Sequence, residues 1–78
     1  MILKEVEIPL EYRNEYVTEF IHDVLHELGY DTSDLDLVQC LDLSMHNDYR
    51  CYWKDLAIVV SRDYNKLVIL KRSKATSS

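Results

Sequence analysis

Five acids, Glu11, Glu15, Glu19, Asp23 and Glu27, follow one another at intervals of four residues, and His22 and His26 share that interval. Four residues is slightly more than one helical turn, so on a helix each set lies along one face. Two histidines so placed can grip one divalent metal. The acids give one carboxylate per turn, and like charges at this spacing oppose the helix by roughly 0.2–0.5 kcal/mol per pair. Arg13 is the one basic residue among them. Successive carboxylates rise about 6 Å and wind about 40° per step, close to the separation of phosphates along a nucleic-acid strand. Such a row suits a basic groove that otherwise holds a DNA or RNA backbone. The alternative is a helix face whose charges are simply solvated.

The run His22-Asp23-Val24-Leu25-His26-Glu27-Leu28-Gly29 resembles the metal-binding helix of the zinc peptidases, His-Glu-x-x-His, in its longer form ending in glycine. The resemblance implies zinc held by His22 and His26. It departs from the family at Asp23, which stands where the general-base glutamate belongs, and at Thr32, which occupies the third-ligand position. The short stretch before the motif is also too little to build the sheet that shapes such a site. These departures predict no stoichiometric zinc and no peptidase activity; a zinc-binding hydrolase is the remote alternative.

Other catalytic classes have less support. Gly29 is the only glycine, which excludes a glycine-rich phosphate loop. Cys51 and His46 are a nucleophile and a base with nothing to orient them. Lys71, Arg72 and Lys74 read as a solubilising end on a chain of net charge −5, so direct nucleic-acid binding is not expected. No catalytic residue, cofactor or metal ligand is therefore expected.

The elements that would carry these residues follow from periodicity. Ile2, Val6 and Ile8 alternate with Leu3, Glu5 and Glu7, Lys4 being the one exception on the apolar side, which predicts a strand over 2–8 that Pro9 ends. Tyr16, Val17, Phe20, Ile21, Val24, Leu25 and Leu28 form a helical stripe closed by Gly29, predicting a helix over 11–28. Leu35, Leu37, Leu41, Leu43 and Met45 at odd positions favour a long strand over 35–45; a short capped helix starting near Ser33 is the alternative. Two further strands are expected over 49–62 and 66–72. In the first of these, Tyr49, Cys51 and Trp53 are odd while Leu56, Ile58 and Val60 are even, which a β-bulge near Lys54-Asp55 would explain.

With a loop at His46-Asn47-Asp48, Met45 then faces Tyr49, Leu43 faces Cys51 and Leu41 faces Trp53. A turn at Asp63-Tyr64-Asn65, with Asn65 left-handed, sets Val60 against Val68. The fold class expected is α+β, in the order β-α-β-β-β: an antiparallel sheet with one amphipathic helix packed on one face. Residues 1–72 form one domain and 73–78 a flexible polar tail.

Four apolar residues, Ala57, Val59, Leu67 and Ile69, fall opposite Ile58, Val60, Val68 and Leu70 in that register. A single helix covers one face, so the first four are expected to form a homodimer or partner interface. The same register puts Cys40 and Cys51 on opposite faces, predicting no bridge. Two unpaired cysteines suit a reducing, cytoplasmic setting. No apolar run approaches the ~20 residues of a membrane span, and the start is charged by Lys4, unlike a signal peptide.

Charge divides unevenly. Residues 1–49 carry twelve acids against Lys4 and Arg13, net −10, and residues 50–78 carry seven bases against Asp55 and Asp63, net +5. The halves either attract each other within the fold or point to a partner. The expectation is a small acidic protein-binding module, an inhibitor of phage or mobile-element type that mimics nucleic acid, held by Glu11, Glu15, Glu19, Asp23 and Glu27 to a larger protein with a basic surface. An accessory or oligomerisation domain with a merely solubilising acidic helix is the alternative.

Overall fold

The structure, a computed structural model, describes residues 1–72; the expected tail at 73–78 lies outside the described residues. Strands β1 (Ile2–Glu7), β2 (Asp42–Leu43), β3 (Asp48–Trp53), β4 (Leu56–Ser61) and β5 (Lys66–Lys71) form one sheet in the order β1-β5-β4-β3-β2. Every neighbouring pair is antiparallel. The main helix, α1 (Val17–Glu27), buries Val17, Ile21, Val24 and Leu25. These join Leu56, Ile58, Val60, Leu67 and Ile69 of the sheet in one core. The architecture is the expected one: α+β, an antiparallel sheet with one amphipathic helix.

The helix is shorter than its stripe. A 3₁₀ turn occupies Leu10–Tyr12, and α1 begins only at Val17. Asn14 interrupts between them: its Oδ1 accepts from the Tyr16 amide at 2.8 Å and its Nδ2 donates to the Glu11 carbonyl. Such side-chain bonds offer the backbone a turn in place of a continuing helix. The far end behaves as read. Gly29 has φ 91°, and the Tyr30 and Gly29 amides donate to the carbonyls of Leu25 and His26, the paired bonds of a Schellman cap.

The long strand expected over 35–45 is replaced by a four-residue helix, α2 (Leu37–Cys40), and the two-residue β2. Asp36 caps α2, its carboxylate accepting from the Gln39 amide. On a helix Leu37, Cys40 and Leu41 share a face, whereas on a strand Cys40 would point away from the other two. That difference overturns the expectation of unbridged cysteines: Cys40 and the buried Cys51 of β3 form a disulfide with Cα atoms 5.1 Å apart. The argument for a reducing compartment loses its premise with it.

Three register expectations are also corrected. The strand over 49–62 is a hairpin, β3 and β4, in which Trp53 pairs with Leu56. Lys54-Asp55 is its two-residue turn, with Lys54 at φ 54°. A two-residue turn and a one-residue bulge invert the odd–even pattern alike, so alternation cannot distinguish them. In β2 the pairing slides by two: Leu43 meets Tyr49, and Met45 lies in the connection, 93% exposed. Between β4 and β5, Tyr64 and not Asn65 takes the left-handed position, at φ 60°, and Val60 pairs with Leu67 instead of Val68. Both strands are apolar on both sides, so burial of one face does not fix their register.

Candidate interaction surfaces

The five acids are all exposed, but they do not form one helical row. Glu19, Asp23 and Glu27 lie on α1, Glu11 sits in the 3₁₀ turn and Glu15 in the turn before α1. None of the five forms an ion pair among the described residues, whereas the paired acids are Asp48, Glu5 and Asp55, with Arg50, Lys66 and Lys71. Arg13 does not offset the row, because its Nε donates to the Ile8 carbonyl at 2.8 Å. The carboxylates of α1 thus form an acidic strip with no basic side chain drawn onto it.

His22 and His26 share the same helix. His22 Nδ1 is hydrogen-bonded to Thr32 Oγ1 at 2.9 Å, so the residue at the third-ligand position engages the ring directly. His26 is exposed. No group of three or more His, Cys, Asp or Glu able to hold a metal occurs among the described residues. Cys51 offers no thiol while bridged to Cys40.

The sheet's second face is where the corrected register matters most. Leu67 and Ile69, expected on the interface, are fully buried in the core with Ile58 and Val60. Val68 and Leu70 take their places beside Ala57 and Val59, because directly paired residues share a face. Ala57 is itself 7% exposed, and Val59, Val68 and Leu70 are half-buried. Ile2 and Tyr52 extend the patch at 55% exposure each. Arg72 lies over the Tyr52 ring, its guanidinium carbon 4.8 Å from the centroid. No described element covers this face.

A cleft of about 510 Å³ opens on the helix side between the start of α1, α2 and β3. Val17, Leu37, Val38 and Leu41 line it with Tyr49 and Tyr64, and Glu15 is its one charged residue. The two tyrosine rings stack 5.3 Å apart. Hydrogen bonding with Tyr49, and then burial, hold the Tyr64 phenol above its ordinary value of 10.0. Periodicity alone does not reveal this cleft, because one wall of it is α2, where the alternation of leucines favours a strand.

No helix is long and apolar enough to cross a membrane among the described residues. No protein-family model matches the chain, and no significant similarity is found to a curated protein or to a solved structure.

Proposed function

We propose that the chain is a protein-binding module, not an enzyme, whose acidic α1 strip docks into a basic site on a larger protein. The observation carrying this reading is that Glu19, Asp23 and Glu27 recur at four-residue spacing along α1, all exposed, and hold no base among the described residues. A row of like charges costs helix stability, and a cationic partner relieves that cost while gaining fast, salt-sensitive association. The rise of about 6 Å between carboxylates on α1 suits a site shaped for phosphates, so the partner is a protein that handles nucleic acid and the module acts as its inhibitor.

The test is capture from a cell lysate by the parent and by a Glu19→Gln, Asp23→Asn, Glu27→Gln variant, at low and high salt. The expected result is a set of basic proteins held by the parent at low salt, released by added double-stranded DNA, and lost from the variant. The variant should fold as the parent does, or be slightly more stable. Equal capture by the variant would leave the strip a solvated face only.

A target of this kind implies a cytoplasmic setting, whereas the Cys40–Cys51 bridge fits an oxidising one. Alkylation of the freshly isolated protein followed by mass measurement decides between them.

A further inference from the structure

The two halves of the Cys40–Cys51 bridge stand in different surroundings. Cys51, on β3, is 1% exposed. Cys40 is half-buried and lines an open depression of about 390 Å³ with Asp42, Leu43, Ser44 and Tyr52. Thiol–disulfide exchange depends on which sulfur is attacked and on access to it. A thiol in solution therefore enters the bridge through Cys40.

The segment that carries Cys40 has little else to hold it. Isolated helices shorter than roughly 12–15 residues are marginal in water, so the four residues of α2 need an external hold. That hold is Leu37, 1% exposed, together with the bridge; Val38 beside it is 78% exposed. The ends of the segment are fixed independently. Leu35 is buried before α2, and β2 pairs with β3 after it. Between these anchors α2 supplies Leu37, Val38 and Leu41 to the cleft that it shares with Tyr49 and Tyr64.

We propose that the bridge is a redox latch on this cleft, opened by a dithiol. A thiolate of the dithiol attacks Cys40 Sγ, the S–S bond breaks, and Cys51 leaves as a thiolate that takes up a proton. The mixed disulfide at Cys40 is then attacked by the reductant's second thiol, which gives up its own proton. The reductant closes its disulfide and Cys40 leaves, to be protonated in turn. Two electrons and two protons have passed from the dithiol to the bridge. Without the bond α2 unwinds between its anchors and the cleft loses that wall. The helix α1 keeps Val17, Ile21, Val24 and Leu25 in the core, so the strip of Glu19, Asp23 and Glu27 is unaffected. The latch is thus independent of what that strip binds.

Dithiothreitol, as the probe dithiol, is added without denaturant to the nitrogen-labelled parent, and free thiols and amide resonances are followed together. Both cysteines should become free while the protein stays folded. Resonances of α2, Tyr49 and Tyr64 should move, those of α1 beyond its first turn should stay, and reoxidation should restore the first spectrum. The Cys40→Ser, Cys51→Ala variant should match the reduced parent and ignore dithiothreitol. Glutathione, a monothiol, trapped early by acid should be found on Cys40. A bridge that opens only in denaturant overturns the latch, as do shifts confined to the two cysteines, which leave α2 docked. Collapse of the whole spectrum overturns it too, by making the bridge a staple of the entire fold. Equal trapping on both cysteines overturns entry through Cys40.

Discussion

Asp48 ties together the loop that joins β2 to β3. Arg50 Nε donates to its Oδ1 at 3.0 Å, and Arg50 Nη2 donates to Oδ2 at 3.4 Å. The Ser44 hydroxyl donates to Oδ1 as well, and Ser44 Oγ in turn accepts from the His46 amide. These donors, Arg50 first and Ser44 second, hold the Asp48 carboxyl below its ordinary value of 3.8 against the opposing effect of desolvation. The Arg50 guanidinium is correspondingly held above its ordinary value by Asp48. A carboxylate whose pKa is lowered by folding adds stability that is fully present above the unfolded value and disappears as pH falls through the folded one. Asp48→Asn should therefore be less stable than the parent at neutral pH, with the difference closing as pH drops below about 4. Denaturant titrations of both proteins across that range check it, and a difference independent of pH would assign the loss to packing instead of charge.

Among the elements, the ones legible in the sequence were those with a single apolar side. The stripe of α1 allows only one orientation toward a core, and Gly29 after the last stripe residue places the cap. In β1 the alternation holds for Val6 and Ile8, while a register shift between Ile2 and Lys4 turns Ile2 to the outer face beside Leu70. The readings that failed had no such asymmetry. In β4 and β5, Ala57 to Val60 and Leu67 to Leu70 are apolar throughout, so only the turn could set the register, and its left-handed residue is a tyrosine. The acidic row was legible as spacing but not as structure, because the Asn14 side chain breaks the helix that would have continued it. In α2 the alternation of leucines favoured a strand; the alternative, a short capped helix, is nearer the structure, with Asp36 and not Ser33 as its cap.

This short helix is tethered by the bridge from Cys40 to Cys51, residues 11 apart in sequence. Closing a loop of that length in the unfolded chain is worth about 3 kcal/mol in the loop-entropy account. Cys40→Ser with Cys51→Ala should lower stability by roughly 2–4 kcal/mol, measured in denaturant. Hydrogen exchange should quicken most at the amides of Cys40 and Leu41, which donate to Asp36 and Leu37 carbonyls. Uniform acceleration, or none, would show that packing of Leu37 holds α2 without the tether.

At the scale of the molecule, a two-layer domain of this size has little core to spare. Its centre is the β4–β5 pair, with β3 on one side and β1 on the other. The run from β3 through β5 is a meander whose partners are close in sequence. β1 is different. Glu5 pairs with Val68 although nearly the whole chain separates them, so this contact carries the largest closure entropy in the fold. The transition state for folding should therefore contain the meander and the α1 stripe without β1. Val6, which packs against the core from β1, provides the kinetic readout: Val6→Ala should speed unfolding and leave the refolding rate almost unchanged. A proportionate slowing of refolding would instead place β1 in the nucleus. On this ordering β1, made before the strand it joins, is the last to be secured, and until it docks the outer backbone of β5 stands open to any extended chain that reaches it first.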